Sequence, residues 1–206
     1  MGISQMLMKL AEGMATSCWI FGITLLFSLP LGMVIAFGRM SKKRIVQGIT
    51  KIYISIMRGT PLMLQLMVVY FGPYYLFGIK ISPFYRNIAV VIGFVLNYAA
   101  YFAEIYRSGI ESMPVGQYEA AEILGYSKSQ TFLHIILPQV IKRILPSVTN
   151  EVITLVKDTS LAFVIAVSEM FTIAKAPVWF RMWQPVFSTM YLIFWLHGSW
   201  RRSRSI

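Results

Sequence analysis

Residues 13–38 read GMATSCWIFGITLLFSLPLGMVIAFG and contain no charged side chain. A helix rises about 1.5 Å per residue, so this run is long enough to cross the roughly 30 Å of hydrocarbon in a bilayer. Four further apolar stretches follow. The sequence therefore predicts an all-α membrane protein in which residues 1–206 form one transmembrane domain. Its five spans are expected at residues 14–38, 60–79, 87–107, 147–171 and 182–200.

The composition is typical of a protein whose surface mainly contacts lipid. Hydrophobic residues make up 57% of the chain and charged residues 13%, whereas the surface of a soluble domain needs about 25–35% charged residues. The first apolar run is too long for the core of a signal peptide, so we expect a retained span.

Several kinds of chemistry are not expected. The single cysteine, Cys18, excludes an internal disulfide and a cysteine-based metal site. His134 and His197 lie far apart in sequence without metal-ligand spacing, so no metal site is expected. The sequence contains neither a glycine-rich phosphate loop nor a catalytic constellation. We expect this chain not to bind ATP and not to be an enzyme.

The basic residues predict an orientation. The net charge is +11, but the cations lie between apolar runs rather than on one soluble face, which argues against a nucleic-acid partner. With the N-terminus outside, the cytoplasmic segments hold 13 Lys and Arg and the outer segments hold 5. This asymmetry fits the positive-inside rule only if residues 147–171, the least apolar span, cross the membrane.

Two regions outside the spans have helical patterns. Residues 1–12 carry apolar side chains at helical spacing and predict an interfacial helix. Residues 113–143 predict a cytoplasmic helix–turn–helix segment. Its first helix covers residues 117–124, Gly125 turns the chain, and Ser127 caps a second helix that Pro138 ends or kinks.

The same segment contains Glu-Ala-Ala, then three residues and Gly, then nine residues and Ile-x-Leu-Pro. This pattern resembles, without a mismatch, the EAA motif of ABC importer permeases. The resemblance implies that the segment docks on an ATP-binding subunit, with the two alanines allowing close approach; the alternative is an ordinary amphipathic loop helix. The residues that would couple to the ATPase are Glu119, Ala120, Ala121, Gly125, Ile135, Leu137 and Pro138.

Three other stretches resemble polar amino-acid permeases of the histidine/glutamine type: RGTP at 58–61, NYAAYFAE at 97–104 and KDTSL at 157–161. The resemblance covers about residues 10–175. It implies a permease subunit of an ATP-driven importer of polar L-amino acids in the bacterial cytoplasmic (inner) membrane. From residue 195 onward the chain departs from the family pattern, so the fifth span is expected to be short.

The resemblance also implies partners. Two ATP-binding subunits would hold ATP and Mg, a second permease subunit, identical or homologous, would complete a dimer, and an extracytoplasmic binding protein would deliver the amino acid. No cofactor is expected in this chain. The rival interpretations are an ion-coupled secondary amino-acid transporter and a non-transporting membrane scaffold subunit.

Ionisable groups at membrane depth tend to line a pathway or to form pairs. Glu151 and Asp158 are seven residues apart, about two helical turns, and share one face. Asn97 and Glu104 have the same spacing in the third span. Two such stripes would enclose a polar cavity. The candidate substrate-binding residues are Thr60, Asn97, Glu151, Lys157 and Asp158.

Alternatives remain for these charges. Lys157 and Asp158 would bind the carboxylate and ammonium groups of an amino acid, or would form an ion pair that only joins helices. Glu151 would favour a cationic amino acid or cystine, or would simply be hydrated at the cytoplasmic interface. For Glu104 and Arg107, three residues apart, we predict a structural ion pair.

Overall fold

The structure, a computed structural model, describes residues 3–168 and 172–173. Within these residues every regular element is helical, as the sequence predicts. The elements are α1 (Ile3–Arg39), α2 (Arg44–Gly59), α3 (Leu62–Phe77), α4 (Pro83–Glu111), α5 (Val115–Ile123), α6 (Lys128–Gln130), a π-helical turn (Thr131–Ile136), α7 (Leu137–Asp158) and a 3-10 helix (Thr159–Ile165).

Two of these helices are long and apolar enough to cross a membrane: Leu7–Arg39 within α1 and Phe84–Glu111 within α4. They correspond to the first and third predicted spans. The helix predicted at residues 1–12 is continuous with the first span, because α1 runs from Ile3 through Gly13 without a break. Its interfacial position stays a prediction.

The second predicted span, residues 60–79, corresponds to α3, which has 16 residues and is about 24 Å long. It is preceded by α2, a helix that the sequence analysis did not predict. The two helices meet at 109° and would count as a third crossing only if taken together. Pro61 explains the break, because the residue before a proline is pushed out of the helical region, and Thr60 is extended (φ −120, ψ 145).

Helix α4 is the centre of the packing, since α1, α2, α3 and α7 all contact it. Its side chains Phe94, Tyr98 and Phe102 are at most 1% exposed. Gly32 of α1 lies against α4 so closely that a Cβ atom at this position would be 3.1 Å from the carbonyl oxygen of Ala99. The core therefore forms around the third predicted span.

The chain after α4 follows the predicted pattern only in part. Ser127 caps α6, as predicted, but Pro138 does not end a helix. Instead a π-helical turn precedes it, and Pro138 lies in the first turn of α7, where its missing N–H needs no partner.

The fourth predicted span, residues 147–171, falls on α7, the 3-10 helix and the residues after it. Among the described helices, α7 does not reach the apolarity and length of α1 and α4. The fifth predicted span, residues 182–200, and the atypical residues from 195 onward lie outside the described residues.

Candidate functional site

A cavity of about 470 Å³ lies where the bend between α2 and α3 faces α4 and α7. Four of the five predicted substrate-binding residues line it: Thr60, Asn97, Glu151 and Asp158. The remaining lining residues come from the bend, from α4, and from α7 with its 3-10 extension: Arg58, Gly59, Pro61, Leu62, Tyr98, Tyr101, Thr154 and Leu161.

A hydrogen-bond network holds the bend in place. The Gln65 side-chain amide donates to the carbonyl oxygen of Met57 (2.9 Å) and to the Thr60 hydroxyl (2.8 Å). Asn97, which is 4% exposed, donates to the same Met57 oxygen (3.1 Å) and to Oε1 of Gln65 (3.0 Å). The last carbonyls of a helix have no partner within it, so these amides satisfy the end of α2 and fix it against α4.

The acidic side of the cavity comes from α7. Asp158 accepts a hydrogen bond of 2.7 Å from the hydroxyl of Tyr98, whose side chain is buried at 1% exposure. Glu151, half-buried, lies about two turns earlier on the same wall. The seven-residue spacing thus predicts correctly that the two carboxylates share a face.

Among the described residues, the cation that lines the cavity is Arg58, not Lys157. The Arg58 guanidinium carbon lies 5.3 Å from the centre of the Tyr101 ring, a cation–π distance. Lys157 is exposed and does not line the cavity, contrary to our prediction. The physical reason is helical geometry: neighbouring residues point about 100° apart, and the contact with Tyr98 turns Asp158, rather than Lys157, towards α4.

The predicted alternative, an ion pair between Lys157 and Asp158, is also absent from the described residues, where both ion pairs involve Arg107. Arg107 contacts Glu104, which confirms that predicted pair, and also Glu111. Glu104 does not line the cavity. Of the two residues predicted to form a polar stripe on α4, Asn97 lines the cavity and Glu104 belongs to a structural ion pair.

The EAA-like pattern lies on α5 and on the turn and helices after it. Glu119 and Ala120 are exposed, whereas Ala121 is 1% exposed and therefore packs inward instead of offering close approach to a partner. Gly125 has φ +79, a left-handed conformation that favours glycine. Leu137 and Ile135 are half-buried and Pro138 is exposed.

The tip of α5 is apolar. Ile123 and Leu124, which directly precede Gly125, are 87% and 72% exposed. Val115 and Leu133 of the same segment are also exposed, and a group of exposed apolar side chains is typical of a surface that contacts another protein.

Sequence analysis missed Arg58 and Tyr98 as site residues. Arg58 was assigned to a cytoplasmic segment, although it immediately precedes Gly59-Thr60-Pro61, a strong signal for a chain break. Tyr98 lies next to Asn97 on a helix with many aromatic residues, and nothing in the sequence distinguishes it from the packing residues around it.

A family model described as "Binding-protein-dependent transport system inner membrane component" matches residues 28–198. The chain belongs to this family. The match includes the bend, the cavity and the segment with the EAA-like pattern.

Individual relatives cover less of the chain. A Rickettsia conorii protein named "Putative glutamine transport system permease protein GlnP" is 43% identical over 59% of this chain and 55% of its own length. The L-cystine transport system permease protein TcyL of Bacillus subtilis is 40% identical over 68% of this chain and 59% of its own length. The chain thus spans little more than half the length of these relatives.

A solved structure covers nearly all of the chain. The crystal structure of an amino acid ABC transporter with histidines aligns over 96% of this chain and 92% of its own, with 28% identity and a TM-score of 0.77. The inward-facing MetNI methionine ABC transporter aligns over 96% and 95% at 17% identity with a TM-score of 0.61, which is a likeness of fold.

Proposed function

We propose that this chain is the permease subunit of an ATP-driven importer and carries a polar L-amino acid through the cavity at the α2–α3 bend. The observation that carries the proposal is the set of charged side chains in that cavity. Of the residues that the structure describes, one cation, Arg58, and two carboxylates, Glu151 and Asp158, line it. An amino-acid zwitterion needs a cation for its carboxylate and an acid for its ammonium group.

Each end of the substrate has a partner in the cavity. Arg58 offers a guanidinium that binds a carboxylate with two parallel hydrogen bonds. Asp158, already oriented by the Tyr98 hydroxyl, accepts from the ammonium group. Thr60 and Asn97 add neutral polar groups, but their side chains already take part in the bend network, so we assign them to positioning.

Glu151 sets the preference among amino acids in this proposal. It leaves a second carboxylate for a second positive group, which favours a cationic amino acid or cystine. The similarity to a cystine permease supports this choice, and the similarity to a protein named for glutamine supports a neutral substrate instead.

The proposed assembly is supported by the family description, which names a binding-protein-dependent transport system, and by the likeness to an amino acid ABC transporter. Five spans in the bacterial inner membrane place the N-terminus outside and α5 in the cytoplasm. Two ATP-binding subunits dock on the segment from Glu119 to Pro138 of each permease, and a second permease, identical or homologous, completes the pathway. An extracytoplasmic binding protein delivers the substrate.

The test is uptake of labelled arginine, cystine and glutamine by cells that express the chain with its ATP-binding subunits and binding protein. Losing a charge-assisted hydrogen bond costs about 1.5–3 kcal/mol, so Arg58→Gln should lower uptake by about tenfold or more. Arg58→Lys should retain part of it. The matched control Lys157→Gln removes an exposed charge of the same sign, and uptake should stay near the wild-type level.

The same assay tests the role of Glu151 and the mode of energy coupling. Glu151→Gln should lower uptake of arginine more than uptake of glutamine, and unchanged discrimination would contradict the assignment. A severe loss with Lys157→Gln and none with Arg58→Gln would contradict the site itself. Uptake without any ATP-binding subunit would instead support an ion-coupled secondary transporter.

A further inference from the structure

We propose that α2 is a docking site for an anionic phospholipid. In this arrangement a stripe of isoleucines on α2 lies against the acyl chains, and the basic residues at its start bind the phosphate of the headgroup. The site is separate from the transport cavity, and the proposal does not depend on which substrate is carried.

The apolar half of the site is a regular helical stripe. Isoleucines occur at intervals of four, three and four residues, so they lie on one face of the helix. All of them are exposed in the structure: Ile45 at 78%, Ile49 at 64%, Ile52 at 62% and Ile56 at 53%. Four adjacent exposed isoleucines form a patch that needs a partner or a lipid.

Contacts on another face of α2 fix the direction of the stripe. Ile54 is buried, and the hydroxyl of Tyr53 donates to the carbonyl oxygen of Leu96 on α4. A Cβ atom at Gly38 of α1 would lie 2.8 Å from the Thr50 side chain, so α2 also packs closely on α1. Helix α2 is therefore held with its isoleucines facing away from the other described helices.

The polar half of the site is basic and has no acidic counterpart in sequence. Lys42, Lys43, Arg44 and Lys51 are all exposed. No Asp or Glu occurs between residues 13 and 103, and both ion pairs among the described residues belong to Arg107. Lys43 is the N-cap of α2 and provides no side-chain acceptor for the first-turn amides, so these too favour an anion.

An apolar stripe next to a basic cluster fits a molecule with an apolar tail and an anionic head. The family places this chain in an inner membrane, where such lipids are in contact with it. A second copy fits less well, because a two-fold interface would bring the same cations face to face. Residues 174–206 fit less well too, because they contain Lys and Arg but no Asp or Glu.

The apolar half is tested with single-cysteine proteins. Cys18 is the only cysteine, so Cys18→Ser/Ile49→Cys can carry one environment-sensitive fluorophore in vesicles with brominated acyl chains. Bromine should quench this label strongly. It should quench the matched control Cys18→Ser/Gln47→Cys much less, because Gln47 lies on a different face of the same helix.

Three results of that experiment would overturn the proposal. Disulfide-linked dimers formed through Ile49→Cys on mild oxidation would show that a second copy covers the stripe. A label that is neither quenched nor cross-linked would show that another part of this chain covers it. Quenching of both labels to the same extent would show that α2 has no oriented lipid-facing side, which also contradicts the proposal.

The basic half is tested by native mass spectrometry of the full chain titrated with phosphatidylglycerol or phosphatidylcholine. By the usual contribution of a cation near an anionic surface, losing two of them in Lys42→Gln/Lys43→Gln should weaken phosphatidylglycerol binding by about thirtyfold. Phosphatidylcholine binding should not change. The control Lys9→Gln/Lys80→Gln removes the same charge from exposed sites elsewhere and should bind phosphatidylglycerol normally.

Equal losses in the two double variants would overturn the proposal, since binding would then follow net charge alone. Glycerol phosphate, the headgroup without its acyl chains, should not bind at the concentrations used. Binding of glycerol phosphate as tight as that of the lipid would show a phosphate site and contradict docking of a lipid. These measurements involve no transport, so their failure is distinct from failure of the proposed function.

Discussion

Gly32 lies at a close approach between α1 and α4. A Cβ atom at this position would be 2.8 Å from Cβ of Phe102 and 3.1 Å from the carbonyl oxygen of Ala99. Both neighbours lie on the buried face of α4 and cannot move without shifting a backbone. Small residues at such positions are what allow membrane helices to pack closely.

Gly32→Ala should therefore destabilise the chain by about 1–3 kcal/mol, the usual cost of overpacking. Gly22→Ala is the matched control, because it lies on the same helix with nothing within 4 Å of the added Cβ. It should leave stability unchanged or raise it by up to about 1 kcal/mol, since alanine favours a helix over glycine. The measurement is the apparent melting temperature of the purified protein in detergent; an equal response of the two variants would contradict the packing argument.

At the same scale, the sequence predicts pairs of residues better than it predicts their surroundings. The spacing of Glu151 and Asp158 shows that they share a face, because that follows from helical geometry alone. It does not show which face meets α4. That choice depends on the hydrogen bond from Tyr98 to Asp158, a contact between residues 60 positions apart that the sequence does not reveal. The sequence therefore predicts Lys157 as the cation of the cavity, whereas the structure has Arg58 there.

Among the elements, α6 owes its start to one reciprocal pair of hydrogen bonds. The Ser127 side chain accepts from the backbone N–H of Gln130, and the Gln130 side chain accepts from the backbone N–H of Ser127 at 2.9 Å. This capping box follows directly after the left-handed Gly125. It fixes the direction in which the chain leaves the glycine turn.

Ser127→Ala removes one half of the box and should cost about 1 kcal/mol, as the loss of an N-cap usually does. Amide hydrogen exchange of residues 128–131 should become about fivefold faster, measured by mass spectrometry on the full chain. Ser127→Asp keeps an acceptor at the cap and should restore the slow exchange. Exchange that is equally fast in both variants would show that the side-chain acceptor does not hold this turn.

The sequence predicts the helices that have a long apolar run and does not predict the bend between α2 and α3. Helices α1 and α4 follow from long apolar runs, and the cap at Ser127 follows from its residue type. Helix α2 was overlooked because charged residues interrupt its isoleucines, and hydropathy averaged over a span hides a stripe of that kind. The 109° angle at Thr60 depends on hydrogen bonds from Gln65 and Asn97 to the Met57 carbonyl oxygen, which connect α3 and α4 to the end of α2.

On the scale of the whole molecule, α4 links the features discussed above. It carries Asn97 and Tyr98 at the cavity, and Arg107, with its two acidic partners, towards its end. It also leads, through the residues after Glu111, to the segment with the EAA-like pattern. A movement imposed on α5 would reach the cavity along the chain through α4 and, by packing, through the π-helical turn and α7, which carries Glu151 and Asp158. These two connections give the proposed coupling a physical path.

The proposed membrane orientation predicts which segments are accessible from outside the cell. Helices α1 and α4 run in the same direction if α2 and α3 together cross once, which places Lys80 outside and Lys128 in the cytoplasm. In a Cys18→Ser background, a membrane-impermeant maleimide added to intact cells should label Lys80→Cys and spare Lys128→Cys until the membrane is opened. Lys175→Cys should also be labelled from outside, because the positive-inside asymmetry requires residues 147–171 to cross the membrane. Protection of Lys175→Cys would show that residues 147–171 do not cross the membrane. Labelling of Lys128→Cys from outside would show that the orientation is reversed, and ATP-binding subunits could then not dock on α5.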